Sequence, residues 1–131
     1  MAKRFYDTNY FSDPFILSLK SNEKLLYFYF ITICDHAGVF EINEILGNFH
    51  LNCKNYSEQV KNFIKTHPDK IKRLNINTCI LMNFCKRQYP KGVNSAVMQI
   101  KGAMAILEKW NIEIINKETF TLRVKNTYKE L

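Results

Sequence analysis

Residues 25–33 form an almost continuous apolar run, with the sequence LLYFYFITI. A helix that is apolar on all sides has no polar side to expose to solvent, and it therefore lies inside a core. The run has nine residues, whereas a membrane-spanning helix needs about 20. Ser21 can cap the helix at its start, and Gly38 can form a turn after it. The chain is therefore predicted to fold around one central helix that ends near Cys34.

Short patterned segments follow this helix in a definite order. Asn43 and Ser57 are candidate helix caps, and two later apolar segments flank a polar turn at 75–78. The predicted elements are a strand at 39–42, helices at 44–49 and 58–66, and strands at 71–74 and 79–84. Helix, strand, helix, helix, strand, strand is the order of a winged helix-turn-helix, whose third helix enters the DNA major groove.

The other segments extend this core. A short helix is predicted at 14–19, and a longer one from Asn94 or Ser95 to about Trp110, followed by strands at 112–115 and 120–124. A chain of 131 residues fits one domain. The predicted fold class is therefore α+β: one winged-helix domain over 1–131 with its core at 21–84, and an added C-terminal helix and short β-hairpin within 93–131.

Apolar residues at helical spacing identify the sides of the helices that are expected to face the core. In the helix at 44–49 these residues are Ile45, Leu46 and Phe49. In the helix at 58–66 they are Val60, Phe63 and Ile64. In the long C-terminal helix they are Val97, Ile100, Ala103, Met104 and Leu107.

Positive charge is concentrated in the middle of the chain. Residues 54–101 hold ten of the 19 basic side chains but only two of the twelve acidic ones. A localised positive field is what a polyanionic partner such as DNA requires. An ordinary α+β domain with a solvated basic surface is the alternative that the sequence leaves open.

The predicted DNA-contacting surface is the solvent side of the helix at 58–66 with the hairpin that follows. Amide side chains can read adenine and lysines can reach guanine or phosphate, while backbone N–H groups at a helix start attract anions. The groove-facing residues are predicted to be Gln59, Lys61, Asn62 and Lys65. Lys54, Tyr56 and Ser57 are predicted to contact phosphates near the helix start. The wing residues are predicted to be Lys70, Lys72, Arg73, Asn75 and Asn77, and the surface would extend to Lys86, Arg87, Lys91 and Lys101.

The sequence offers no pattern that is typical of an enzyme. A metal-dependent nuclease needs clustered carboxylates, but residues 54–101 contain only Glu58 and Asp69. The four cysteines lack the paired spacing of a zinc site, and without an apolar signal segment they are expected to be reduced. We therefore expect no catalysis, no cofactor, no metal, no membrane association and a cytoplasmic location.

Several segments resemble a known family. Residues 1–8 (MAKRFYDT), 13–15 (DPF), 25–28 (LLYF) and 34–41 (CDHAGVFE) resemble DnaD-like replication initiators, or replisome organisers, of phages and prophages. The resemblance covers residues 1–50 and continues loosely to the helix that ends at Lys109. It implies a winged-helix domain that binds origin DNA in a bacterial host and recruits a helicase loader or other replication proteins, without catalysis. Such initiators often continue into a loader-binding segment, whereas only 112–131 follow here.

Two other functions remain open at this point. A phage transcriptional regulator would use the same fold and the same groove-reading helix. A protein–protein interaction module would instead present the aromatic residues 27–30 as an exposed apolar patch, although burial in the core is the competing interpretation of those residues. A homodimer, formed through the long C-terminal helix or the tail hairpin, is a further option.

Overall fold

The computed structural model of the protein describes residues 12–94 and 98–128. The mixed α+β class predicted from the sequence is confirmed, with small antiparallel sheets among the helices. The elements are α1 (Pro14–Ser18), α2 (Ser21–Ile33), β1 (Val39–Glu41), α3 (Glu44–Leu51), α4 (Tyr56–Thr66), β2 (Ile71–Arg73), β3 (Thr78–Leu81), α5 (Phe84–Gln88), α6 (Gln99–Lys109), β4 (Ile112–Asn116) and β5 (Thr121–Val124).

The apolar run forms the central helix, as predicted. α2 buries Leu26, Tyr27, Phe30 and Ile31, and Phe30 stacks on Phe40 of β1 with ring centroids 4.6 Å apart. The helix begins at Ser21 itself, so the prediction of Ser21 as its cap is off by one residue. Lys20 is the cap position, and its backbone N–H donates to the Glu23 carboxylate.

A tight turn joins α2 to β1. One carboxylate oxygen of Asp35 accepts the backbone N–H groups of Ala37 and Val39, each at 2.9 Å, and Gly38 has a φ of 89°. A left-handed conformation of this kind favours glycine. Residues 35–39 therefore build a structural connection between the central helix and the sheet.

The main sheet has the strand order β1-β3-β2, with both pairings antiparallel. Alternation along the strands directs Phe40, Cys79 and Ile71 to one face, and Val39 and Ile80 to the other. Both faces are covered, because all four residues of β3 are buried. The first face packs against α1 to α4 and against Phe84 at the start of α5, and the second packs against the rest of α5, α6 and the β4–β5 hairpin.

Three local predictions need correction. The strand predicted to reach residue 84 ends at Leu81, because Phe84 packs against Gly38 and begins the short helix α5. α4 begins at Tyr56, with Asn55 rather than Ser57 as its cap. α6 begins at Gln99, later than either predicted cap. Ser95 and Val97, two residues of that prediction, lie outside the described residues.

Candidate nucleic-acid interface

α3 and α4 pack against each other at one point of very close approach. A Cβ atom added to Gly47 of α3 would lie 2.2 Å from the ring of Tyr56 at the start of α4. Between the helices, Asn52 takes a left-handed conformation with a φ of 51°. This geometry fixes the direction of α4 relative to the core.

Tyr56 is a core residue, which corrects the prediction that it contacts phosphate. Its side chain is 1% exposed and packs edge-on against Tyr29 of α2. Burial raises the pKa of the Tyr56 phenol well above its usual value, and its hydroxyl has no hydrogen-bond partner among residues 12–94 and 98–128. A side chain in this position cannot reach a ligand at the surface.

The start of α4 already holds an anion from the protein. The backbone N–H of Ser57 donates to the Glu44 carboxylate at 2.5 Å, and the N–H of Tyr56 donates to the Asn48 side chain at 2.8 Å. Hydrogen bonds from the side chain and from the backbone N–H of Ser57 lower the pKa of the Glu44 carboxyl group. The prediction that these N–H groups bind phosphate is therefore wrong, because Glu44 and Asn48 of α3 occupy them.

The solvent side of α4 is polar, as predicted. Val60 and Phe63 are buried, whereas Lys61 and Lys65 are exposed and lie one helical turn apart. Glu58 is exposed on the same side, so one carboxylate reduces the positive charge of this face. Ser57 and Lys54 are exposed beside it.

Gln59 and Asn62 lie at a different edge of α4 from the two lysines. They border a cavity of about 170 Å³ between α4 and the start of α2. The Gln59 amide donates to Asn55 at 2.7 Å. The other residues around the cavity are Lys20, Asn22, Glu23, Leu26, Phe63 and Thr66.

The β2–β3 hairpin divides the predicted wing residues between two faces of the sheet. Lys72 is paired with Ile80 and shares its face, away from α4. Arg73 points to the other face, where its guanidinium donates to the Ile76 carbonyl at 3.2 Å and lies over the Tyr128 ring. Asn75 accepts the N–H of Asn77 at 2.9 Å and so shapes the turn. Arg73 and Asn75 therefore stabilise the hairpin itself.

The remaining basic residues are not gathered into a single stripe. The Lys70 ammonium lies 5.0 Å from the centre of the Phe15 ring of α1, and Arg87 of α5 forms an ion pair with Asp13. Lys86, Lys91 and Lys101 are exposed. The structure thus brings Lys61 and Lys65 together but separates them from Lys72.

One polar contact beside α4 was missed by the sequence interpretation. His67 follows the last residue of α4, and its Nε2 lies 2.9 Å from the Glu23 carboxylate at the start of α2. The rings of Phe15 and Phe63 pack against the imidazole. The hydrogen bond with His67 lowers the pKa of Glu23. No local pattern in the sequence predicts this contact, because His67 and Glu23 are 44 residues apart.

The apolar side of α3 faces the solvent, contrary to prediction. Ile45, Leu46 and Phe49 are all exposed, because Gly47 and Asn48 occupy the inward side of the helix. The aromatic segment 27–30 behaves in the opposite way: Tyr27 and Phe30 are buried. An interaction module built on that segment is therefore not supported.

The described residues contain neither a helix that could span a membrane nor a cluster of side chains that could hold a metal ion. None of the helices in 12–94 and 98–128 combines the length and apolar character needed to cross a membrane. Within the same ranges, histidine, cysteine and acidic side chains do not form a group of three that could hold a metal ion.

Comparison of the chain with protein-family models, curated proteins and solved structures finds no match.

Proposed function

We propose that this chain is a winged-helix protein that binds double-stranded DNA through α4 without catalysing a reaction. The sequential pair α3–α4 followed by the β2–β3 hairpin, with strand order β1-β3-β2, supports the winged-helix assignment. In that architecture the second helix of the pair enters the major groove, and the hairpin lies along the backbone.

The observation that carries the proposal is the exposed lysine pair on α4. Lys61 and Lys65 project from a helix whose inner side is fixed by Val60 and Phe63. They lie within a segment that contains ten basic and two acidic residues. A fixed cationic helix face can neutralise phosphates and reach base edges in a groove.

The contact set proposed here differs from the sequence-based set. Lys61 and Lys65 form its centre, Asn62 lies at its edge toward α2, and the exposed side chains of Lys54 and Ser57 lie beside the start of the helix. Tyr56 is excluded because it is buried. DNA would contact Gln59 only from the side of α4 that faces α2, where Gln59 borders the small cavity.

The biological role that we propose is phage replication initiation in the cytoplasm of a bacterial host. The support is the resemblance of residues 1–50 to DnaD-like initiators, which implies origin binding and contact with a helicase loader or other replication proteins. Transcriptional regulation is the second candidate, because the same helix face would serve it. DNase footprinting on the phage genome separates them: protection at an origin supports replication, and protection at a promoter supports regulation.

A salt titration of DNA binding tests the central claim. We expect the affinity of the wild-type protein for duplex DNA, measured by fluorescence anisotropy, to fall steeply with salt because counterions are released. The double variant Lys61→Ala, Lys65→Ala should bind at least about tenfold more weakly, since each base-reading contact is worth roughly 1–3 kcal/mol.

The matched control is Lys109→Ala, Lys117→Ala, which removes the same charge from the C-terminal elements. Its affinity should fall much less than that of the α4 variant. Equal losses in both variants would indicate unspecific attraction to a basic protein. An unchanged affinity in a correctly folded α4 variant would rule out α4 as the binding element.

A further inference from the structure

A cleft with polar walls lies between α4 and the start of α2. This α2–α4 cleft has a volume of about 170 Å³, and the buried side chains of Leu26 and Phe63 form part of its lining. Its exposed lining residues come from both helices and carry hydrogen-bond donors: Lys20 and Asn22 at the start of α2, and Asn62 and Thr66 on α4. The cleft therefore opens to the solvent between donor groups rather than between apolar ones.

The donors of the cleft differ in whether the folded chain already uses them. The Thr66 hydroxyl donates to a backbone carbonyl one turn earlier in α4 at 2.8 Å, and the Gln59 amide donates to the cap residue of α4. In contrast, the Lys20 ammonium group forms no ion pair with the carboxylates of residues 12–94 and 98–128. The Asn22 amide makes no hydrogen bond within the same ranges. Lys20 and Asn22 can therefore bind a ligand without breaking a contact of the fold.

The acidic side chain in the lining, Glu23, is already engaged by the protein. One of its carboxylate oxygens accepts the backbone N–H of Lys20 at 3.1 Å, and the other lies 2.9 Å from Nε2 of His67. The hydrogen bond with His67 lowers the pKa of Glu23. Because Glu23 also occupies this N–H group at the start of α2, a ligand of the cleft would bind to side chains and not to the helix end.

The cleft continues the outer side of α4. Successive residues of an α-helix are about 100° apart around its axis, so Asn62 lies about that far from Lys61, in the direction of α2. Lys65 is a neighbour of both, three residues after one and four after the other, and all three are exposed. Asn62 thus belongs both to the outer side of α4 and to the cleft. A ligand that lies along that outer side would reach Lys20 and Asn22 at its edge.

We propose that the α2–α4 cleft holds one sugar-phosphate strand of the duplex that α4 reads, an inference that rests on the proposed function. A helix with its side chains is about 10–12 Å across and the major groove is about 12 Å wide, so a helix in that groove has a phosphodiester strand close to each side. Lysine and asparagine side chains are typical phosphate contacts, which fix the register of a protein on DNA without reading its sequence. Lys20 and Asn22 position α4 in the groove in this way.

Two single variants test this proposal by fluorescence anisotropy with labelled duplex DNA over a range of salt concentrations. Lys20→Ala should weaken binding about three- to tenfold near physiological salt and reduce the slope of log affinity against log salt by about one, because one phosphate contact is lost. Asn22→Asp should weaken binding by a similar factor through repulsion of phosphate. Its melting temperature should not fall, because an acidic residue in the first turn of a helix is favourable. Both losses should be the same on unrelated duplex sequences.

Lys117→Ala is the matched control, because it removes one positive charge from an exposed position between β4 and β5. This variant should bind duplex DNA nearly like wild type. If both α2 variants bind like wild type while Lys61→Ala with Lys65→Ala weakens binding, the cleft contact is overturned but the proposed function is not. An equal loss in the control would also overturn the cleft contact, because it would indicate unspecific attraction. A wild-type protein without affinity for duplex DNA would overturn the proposed function itself, and the cleft contact with it.

Discussion

At the scale of single residues, two positions determine how α4 sits on the protein. Tyr56 fills the space between α2 and α3, and Gly47 leaves room for its ring. Both residues lie outside the solvent-facing side of α4, yet they set the direction in which that side points. In the sequence, Tyr56 resembles a surface residue because its neighbours are polar. Only its place one turn before Val60 indicates the buried stripe.

Replacing Gly47 with alanine is expected to destabilise the protein. The added Cβ would lie 2.2 Å from a ring that is 1% exposed and cannot move aside. Overpacking costs about 1–3 kcal/mol, which outweighs the gain of up to about 1 kcal/mol from alanine in a helix. The free energy of unfolding in urea should therefore fall by about 1–2 kcal/mol.

Gly102→Ala in α6 provides the control for this prediction. A Cβ at Gly102 would meet only the His36 side chain, at 3.4 Å. Helix propensity should then dominate, so the variant is expected to be neutral or slightly stabilised. Comparable destabilisation by both substitutions would argue against the close approach of α3 and α4.

At the scale of elements, polar side chains of the neighbouring helices α2 and α3 hold the two ends of α4 in place. Glu44 and Asn48 of α3 bind the start of α4, and Glu23 of α2 binds His67 after its end. These contacts satisfy backbone or side-chain groups that helix ends leave open. As a result, α4 is tied at both ends while its outer side stays exposed.

The contact between Glu23 and His67 predicts sensitivity to acid. The pKa of Glu23 is lower in the folded protein than the ordinary value of a glutamate, so the ionised carboxylate stabilises the fold at neutral pH. This contribution is lost as the pH falls through the folded pKa. Glu23→Gln should reduce the free energy of unfolding by about 1 kcal/mol near pH 7, because the pair is mostly buried.

Urea denaturation at about pH 7 and at about pH 3.5 measures this dependence. The difference between wild type and Glu23→Gln should shrink at the lower pH, where wild-type Glu23 becomes protonated. Glu108→Gln, an exposed substitution on α6, should follow wild type at both values. A difference that is constant with pH would show that the Glu23 carboxylate does not stabilise the fold through its charge.

At the scale of the whole molecule, the main sheet joins two apolar clusters. One lies among α1 to α4 and includes Phe84 of α5, and the other lies among the rest of α5, α6 and the β4–β5 hairpin. Phe120 is fully buried in the second cluster, near Tyr89, although its backbone has a φ of 55°. Burial of the ring offsets the cost of this left-handed conformation. The C-terminal elements therefore complete the core that also supports α4.

Phe120→Ala is expected to destabilise the entire protein in one transition. Truncation of a buried phenylalanine costs about 3–5 kcal/mol, and the shared sheet should transmit the loss to both clusters. Unfolding followed by fluorescence of the single tryptophan, Trp110, and by circular dichroism should give coincident curves. Ile115→Ala, at an exposed position, should change the stability by less than about 1 kcal/mol. Separate transitions in wild type would indicate two independently folding parts.

The amino-acid sequence determined the features that depend on local pattern. The burial of α2, the order of the elements up to β3, the C-terminal helix and hairpin, and the exposed lysines of α4 all follow from apolar spacing and turn residues. These signals are local because each depends on residues within one or two turns of the chain.

Tertiary structure decided the features in which one segment competes with another for the same space. α3 turns Gly47 inward because the ring of Tyr56 needs that space, and Ile45 and Phe49 consequently face the solvent. Glu44 occupies the N–H group at the start of α4 that the sequence suggested for phosphate. Spacing within one helix shows that an apolar side exists, but only the neighbouring helix determines whether that side is buried.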